Sequence, residues 1–375
     1  MENVLLTQGE SSATSKASLV LANGMIFEGE SVGAQGTAYG ELVFNTSMVG
    51  YQEILTDPGC AEQVIVMTYP EMGNYGVNKD DFESRRVYAK GFIMKNCCEK
   101  DSHYKSVQTL SDYLVQNNII AISNIDTRTL TKIITEYGEM SCAITTEEIT
   151  PDMKKEIANF KTGKDVAIDV SAYRTEKIYG SGISLAIIDM GIKRSTLKYF
   201  KDKDCNMTIY PANTDAQVIL NDRPDALLLS DGPGHPQDAA QATETIKKLL
   251  GKLPIFGICL GHQIVSTALG AKTYKLKYGH RGANHPIIDT QTNKVFLTSQ
   301  NHGWAVADDP EFFKDQGLDV THRNLNDGTI EGLKSEALNV ESVQFTTETA
   351  PGEYDVNKIF ENWIKKVENK KCQKI

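Results

Sequence analysis

The chain has 375 residues, 39 of them Lys or Arg and 49 Asp or Glu, for a net charge of −10. That balance, with no basic run long enough to track a phosphate backbone, argues against nucleic acid as a partner, and no apolar run reaches bilayer-spanning length. The length accommodates two domains, and a hydrophobic content of 40% supplies a core for each.

Residues 1–16 are polar, Ser/Thr-rich and without the apolar centre of a signal peptide, so a flexible N-terminus on a cytoplasmic protein is expected. From 17 to 150 short β-like runs alternate with turns: Leu19-Val20-Leu21 before Asn23-Gly24, Leu42-Val43-Phe44, and Val64-Ile65-Val66 before Tyr69-Pro70. This predicts a strand-rich domain. It contains one clear helix, capped by Asp126, with Leu130, Ile133, Ile134 and Tyr137 on a shared face and Gly138 ending it. Residues 151–182 read as a polar, irregular linker closing in Tyr179-Gly180-Ser181-Gly182.

From 183 to 375 the pattern changes to strands alternating with helices. Ser184 to Ile188 is a buried strand leading to Asp189-Met-Gly-Ile-Lys193 and a helix start. Ala226 to Leu229 is another, followed by Ser230-Asp-Gly-Pro-Gly234 and an alanine-rich helix. Val356, Ile359, Phe360, Trp363, Ile364 and Val367 mark a closing amphipathic helix. The fold class expected is α/β: the strand-rich N-terminal domain followed by a doubly wound, largely parallel sheet.

The seven cysteines (Cys60, Cys97, Cys98, Cys142, Cys205, Cys259, Cys372) form no C-x-x-C pair and no zinc-like spacing, so reduced thiols and no metal are expected. Cys259 stands apart. In Gly257-Ile-Cys259-Leu-Gly261 an apolar strand turns into a helix, an arrangement that strains the central residue and presents its side chain at the top of a sheet. The helix N-terminus is expected to favour the thiolate. Ligands of open α/β sheets bind at the carboxyl ends of the strands, where the Ser230–Gly234 loop also falls. The N–H groups of Gly232 and Leu260 are therefore candidates for an oxyanion hole.

These residues resemble class I glutamine amidotransferases and, more closely, the small-subunit family of carbamoyl-phosphate synthetases. The closer resemblance rests on Leu42-Val-Phe-Asn-Thr-Ser-Met48, Gly50-Tyr-Gln-Glu-Ile-Leu-Thr-Asp-Pro58, Gly73-Asn74 and Asp126-Thr-Arg128. In the second half it rests on Asp189–Lys193, Pro211-Ala-Asn-Thr214, Asp231–Gly234, the cysteine turn, Gly279-His280, Asn284-His-Pro286 and Gln300-Asn-His-Gly303. It implies glutamine hydrolysis through a thioester on Cys259. Ammonia would pass to a large subunit carrying ATP and Mg, making carbamoyl phosphate for pyrimidine or arginine synthesis. No cofactor is implied for this chain, which lacks a G-x-x-x-x-G-K-[ST] loop. The resemblance also implies glutamine-binding roles for Ser47, Gly232, Gly234, Leu260, Gln263, Asn301, Gly303 and Trp304, the last standing where Phe is usual.

One departure bears on the chemistry. The family's Gly-His-Pro-Glu stretch aligns with Gln344-Phe-Thr-Thr-Glu348, so the triad acid position is kept as Glu348 while Thr346 occupies the place of the acid/base His. Threonine exchanges no protons near neutral pH, and weak or absent glutaminase activity is expected. His262, three positions beyond Cys259, is expected to point away from the sulfur. His280, His285, His302 and His322 match ordinary family positions, and His103 and His235 carry no signal. Two functions are carried forward: an impaired or rewired amidotransferase subunit, and a silent binding subunit of an ammonia-using synthetase. An α/β-hydrolase-type cysteine enzyme is more remote, because its later acid and His are missing.

Overall fold

A computed structural model describes residues 15–346 and 353–372. Most of the expected flexible N-terminus, and Glu348, lie outside the described residues; Lys16 already opens the first strand.

The first half is a closed seven-stranded barrel, ordered Lys16–Leu21, Ile26–Ser31, Ile120–Ser123, Gly91–Ile93, Gln63–Met67, Thr37–Asn45, Met140–Thr145 and back to the start. The β-branched runs alternate between two cores. Leu42, Val64, Val66, Ile93, Ile120 and Ile144 pack with the helix Thr127–Tyr137, while Val43, Ile65, Phe92 and Ala121 pack with Tyr51, Leu55, Tyr113 and Leu114. Asp126 caps the Thr127–Tyr137 helix by accepting from Thr129 N at 2.9 Å. Leu130, Ile133 and Ile134 are buried as expected, but Tyr137 is 58% exposed because the helix ends there at Gly138.

The stretch read as irregular is partly structured. A helix over Pro151–Asn159 places Met153 and Ile157 against Val20 and Ala143 of the barrel, so two apolar residues four apart sufficed to dock it.

The second half is built on a ten-stranded sheet. Its central strands Asn206–Pro211, Ser184–Asp189, Ala226–Leu229, Ile255–Ile258 and Val340–Val343 are parallel. Both faces are covered, which explains their continuous apolar sequences. Leu185, Ile187, Phe256 and Ile258 face the C-terminal helix Glu353–Cys372 through Phe360, Trp363, Ile364 and Val367. Ala186, Ile188, Leu229 and Ile255 face the helices Ala240–Leu249 and Leu260–Ala268. The other end of the sheet is antiparallel, dominated by the long hairpin of Thr273–Asp289 and Val295–Val306. No described helix is long and apolar enough to cross a membrane.

Candidate active site

Cys259 ends the strand Ile255–Ile258 and caps the helix Leu260–Ala268, with φ 49° and ψ −105°, a left-handed conformation rare for a residue with a side chain. The flanking glycines make the turn sterically possible. A Cβ on Gly261 would lie 2.5 Å from the Leu229 carbonyl oxygen, and one on Gly257 2.7 Å from the Gly261 carbonyl carbon. Leu260 is the first helical residue, so its N–H has no acceptor within the helix. Gly232 approaches from the neighbouring strand end, where a Cβ would collide with the Met190 carbonyl oxygen at 2.1 Å.

The thiol is not exposed as the turn geometry suggests: Cys259 is only 4% exposed. Its SH donates to the Asn301 carbonyl at 3.6 Å, and the Gln344 side-chain amide donates to the sulfur at 3.5 Å. Burial pushes the thiol pKa well up, reinforced by the Asp231 carboxylate, and the opposing pull of Lys193 and of the Leu260 N–H is too weak to reverse it. The expected bias toward thiolate is thus overturned in the free protein. Desolvation of a charged sulfur outweighs one helix terminus.

A cavity of about 360 Å³ opens beside the sulfur. Cys259, Gly232, Gly234, Leu260, Gln263, Asn301, Gly303 and Trp304 all line it. Ser47 does not; it is buried, with its N–H on Asn45 Oδ1 at 2.9 Å. Gln263 donates to the Trp304 carbonyl at 2.8 Å and to Gln344 Oε1 at 3.0 Å, tying the helix after the turn to two strands of the sheet. The barrel contributes too. Asn301 Nδ2 donates to Asp57 Oδ2 at 3.1 Å and to Cys60 Sγ at 3.3 Å, while its Oδ1 is buried without a partner.

Thr346 follows the strand paired with the nucleophile strand, and is not among the cavity-lining residues. Its hydroxyl donates to the Ser299 carbonyl at 3.0 Å. The histidines are engaged elsewhere. His262 is fully buried with Nδ1 2.8 Å from Ser342 Oγ, and burial, aided by His322, pulls its pKa down to about 3. His302 lines the cavity but has Nδ1 2.9 Å from the Trp304 carbonyl and Nε2 3.0 Å from Gln300 Oε1, and burial holds its pKa well below the usual range.

Among the described residues one group, His280, His302 and Glu331, brings ligand-type atoms within 4.8 Å of one another. It behaves as an ion network. Glu331 accepts from Gln300 and Asn324 at 3.1 Å each, and His280 Nε2 lies 2.9 Å from Asp327. Burial disfavours a charged His280, but the carboxylates of Asp327 and Glu331 prevail and raise its pKa to about 9. Such a ring is a cation in its own right.

Asp57, Cys60, His235 and Gln344 are site residues that sequence reasoning missed. Asp57 sits in the Thr-Asp-Pro stretch noted above, but nothing in its spacing points to a partner 244 positions away.

A strained thiol between two glycines, with a glycine loop at the adjacent strand end of a largely parallel sheet, defines a class I glutamine amidotransferase half, and the model of that family matches residues 186–366. The barrel half, residues 19–144, matches the family model for the carbamoyl-phosphate synthase small chain, CPSase domain. The carbamoyl phosphate synthase small chain of Clostridium acetobutylicum is 46% identical over 93% of this chain and 99% of its own length. That of Clostridium perfringens is 44% identical over 93% and 99%. The pyrimidine-specific small chain of Bacillus subtilis is 43% identical over 94% and 96%. This chain belongs to the carbamoyl-phosphate synthase small-chain family, and a small chain implies a large-chain partner.

Proposed function

We propose that this chain binds glutamine in the cavity beside Cys259 and serves, in the cytoplasm, a large synthetase subunit that makes carbamoyl phosphate with ATP and Mg, its own glutaminase activity being weak or lost. The observation that carries the reading is a nucleophile-type turn opening on a cavity; the reading of weak activity rests on the alignment that puts Thr346, whose hydroxyl donates to Ser299, at the family's histidine position. The unpartnered Asn301 Oδ1 supports ligand binding, as an acceptor available to an N–H group.

In the full reaction the Cys259 thiolate adds to the glutamine carboxamide carbon. The oxyanion is met by the N–H groups of Gly232 and Leu260, the C–N bond breaks, ammonia departs with an added proton, and water cleaves the thioester to glutamate. Two proton transfers have no carrier among the described residues. The thiol proton must leave a buried sulfur of raised pKa, and the departing nitrogen must be protonated; general acid–base help of this kind is worth roughly 10²–10⁴-fold.

The second reading, a catalytically silent subunit for a synthetase using free ammonia, is favoured by the same raised thiol pKa. Ammonia release from glutamine by the complex of small and large subunits distinguishes them. Residual turnover that Cys259→Ala abolishes and Thr346→His raises by about 10²-fold or more supports an impaired amidotransferase. No turnover in either background supports silence, and wild-type turnover at an unimpaired rate, dependent on Cys259, refutes the impairment.

A further inference from the structure

The Gly-Pro-Gly loop runs into His235, whose side chain lines the same cavity as Cys259. Its Nδ1 lies 2.8 Å from the backbone nitrogen of Gln237. A backbone N–H can only donate, so Nδ1 must offer its lone pair, and the proton of the neutral ring sits on Nε2. That Nε2–H has no hydrogen-bond partner among the described residues. The ring is held from the other side by Trp304, with centroids 3.6 Å apart and planes at 53°.

The tautomer excludes one role and suggests another. A nitrogen that already carries its proton cannot take one from Cys259, and adding a second proton at Nδ1 would set two N–H groups against each other. Burial, aided by Lys275, holds the His235 pKa below its usual value against the opposing pull of Asp238, which favours the neutral ring. His235 is therefore no replacement for the missing base. It is a fixed N–H donor on the cavity wall.

The ligand group that suits such a donor is an acceptor without hydrogens. Around the same cavity Arg281 Nη1 pairs with Glu139, Lys275 with Glu41, Gln263 with Trp304 and Gln344, and Asn301 Nδ2 with Asp57 and Cys60, while Arg281 Nε is buried without a partner and Lys161 also lines the wall. We propose that His235 is a specificity residue for the amino-acid ligand, its Nε2–H donating to the α-carboxylate while Cys259 faces the side-chain carboxamide and Trp304 fixes the imidazole plane. This rests on the glutamine reading above and adds to it the group that distinguishes an amino acid from a simple amide.

The test measures calorimetric binding to the small–large complex in a Cys259→Ala background, which prevents turnover. The probes are L-glutamine and 4-aminobutanamide, the same molecule without its α-carboxylate. His235→Ala is expected to weaken glutamine by about tenfold and to leave 4-aminobutanamide within about twofold, while His235→Gln, which keeps a side-chain N–H donor, recovers much of the loss. Equal weakening of both probes, unchanged glutamine binding in His235→Ala, or a His235→Gln protein that binds both probes as His235→Ala does overturns the assignment and leaves glutamine binding standing. If the Cys259→Ala complex binds no glutamine at all, the glutamine reading itself falls and this assignment with it.

Discussion

At the scale of single residues the site is defined by a contradiction between geometry and charge. The backbone at Cys259 is strained in the way that presents a nucleophile, yet its sulfur is enclosed and its pKa raised by burial. The sign of the consequence follows directly. With the pKa far above neutrality, the thiolate share grows about tenfold for each unit the pH rises. Alkylation of Cys259 by iodoacetamide, followed by mass spectrometry, should therefore accelerate steadily from pH 7 to 9. A plateau near pH 7 would show that the thiol ionises early despite its enclosure. The neighbouring imidazoles do not alter this: His262 and His302 are held neutral by burial, and His235 offers only a proton-bearing nitrogen.

The strand-to-helix turn as an element depends on the absence of two side chains. At Gly261 an added methyl would meet the Leu229 carbonyl oxygen, backbone that cannot rotate aside. Gly261→Ala should lower unfolding stability by about 1–3 kcal/mol, measured by urea denaturation, and should reduce glutamine binding by shifting Leu260 relative to Gly232. Loss of binding with no loss of stability would place the defect in the ligand contacts alone. The Thr127–Tyr137 helix teaches a complementary point. Its cap and core face were visible in the spacing of Asp126, Leu130, Ile133 and Ile134, but Tyr137, one turn beyond Ile133 and next to the Gly138 that ends the helix, is turned to solvent.

Across the whole molecule the cavity belongs to both halves. Glu139, just past the barrel helix, is buried against Arg281 of the long hairpin, and its backbone N–H donates to the Lys277 carbonyl at 2.9 Å. Asp57 and Cys60 reach from the barrel to Asn301, which in turn accepts the Cys259 thiol on its carbonyl. Removing one partner of a buried pair leaves the other charge stranded, so Glu139→Gln should cost about 3–5 kcal/mol. The double replacement Glu139→Gln with Arg281→Met should recover much of that in thermal or urea unfolding. Equal, additive losses would mean that the two side chains do not stabilise each other.

What the sequence determined by itself was the local chemistry. The cysteine turn, the glycine loop and the apolar strands are all runs of adjacent residues, in which steric limits and alternation act over a few bonds. The docked helix within the apparent linker escaped notice because its apolar face is only Met153 and Ile157, too short a pattern to rise above a polar background. Tertiary structure alone decided how the thiol ionises, which tautomer His235 adopts, and which barrel residues complete the cavity. Each of these depends on burial or on contacts between residues far apart in the chain. Solvent exclusion and hydrogen-bond direction are properties of the assembled fold, and no local pattern encodes them.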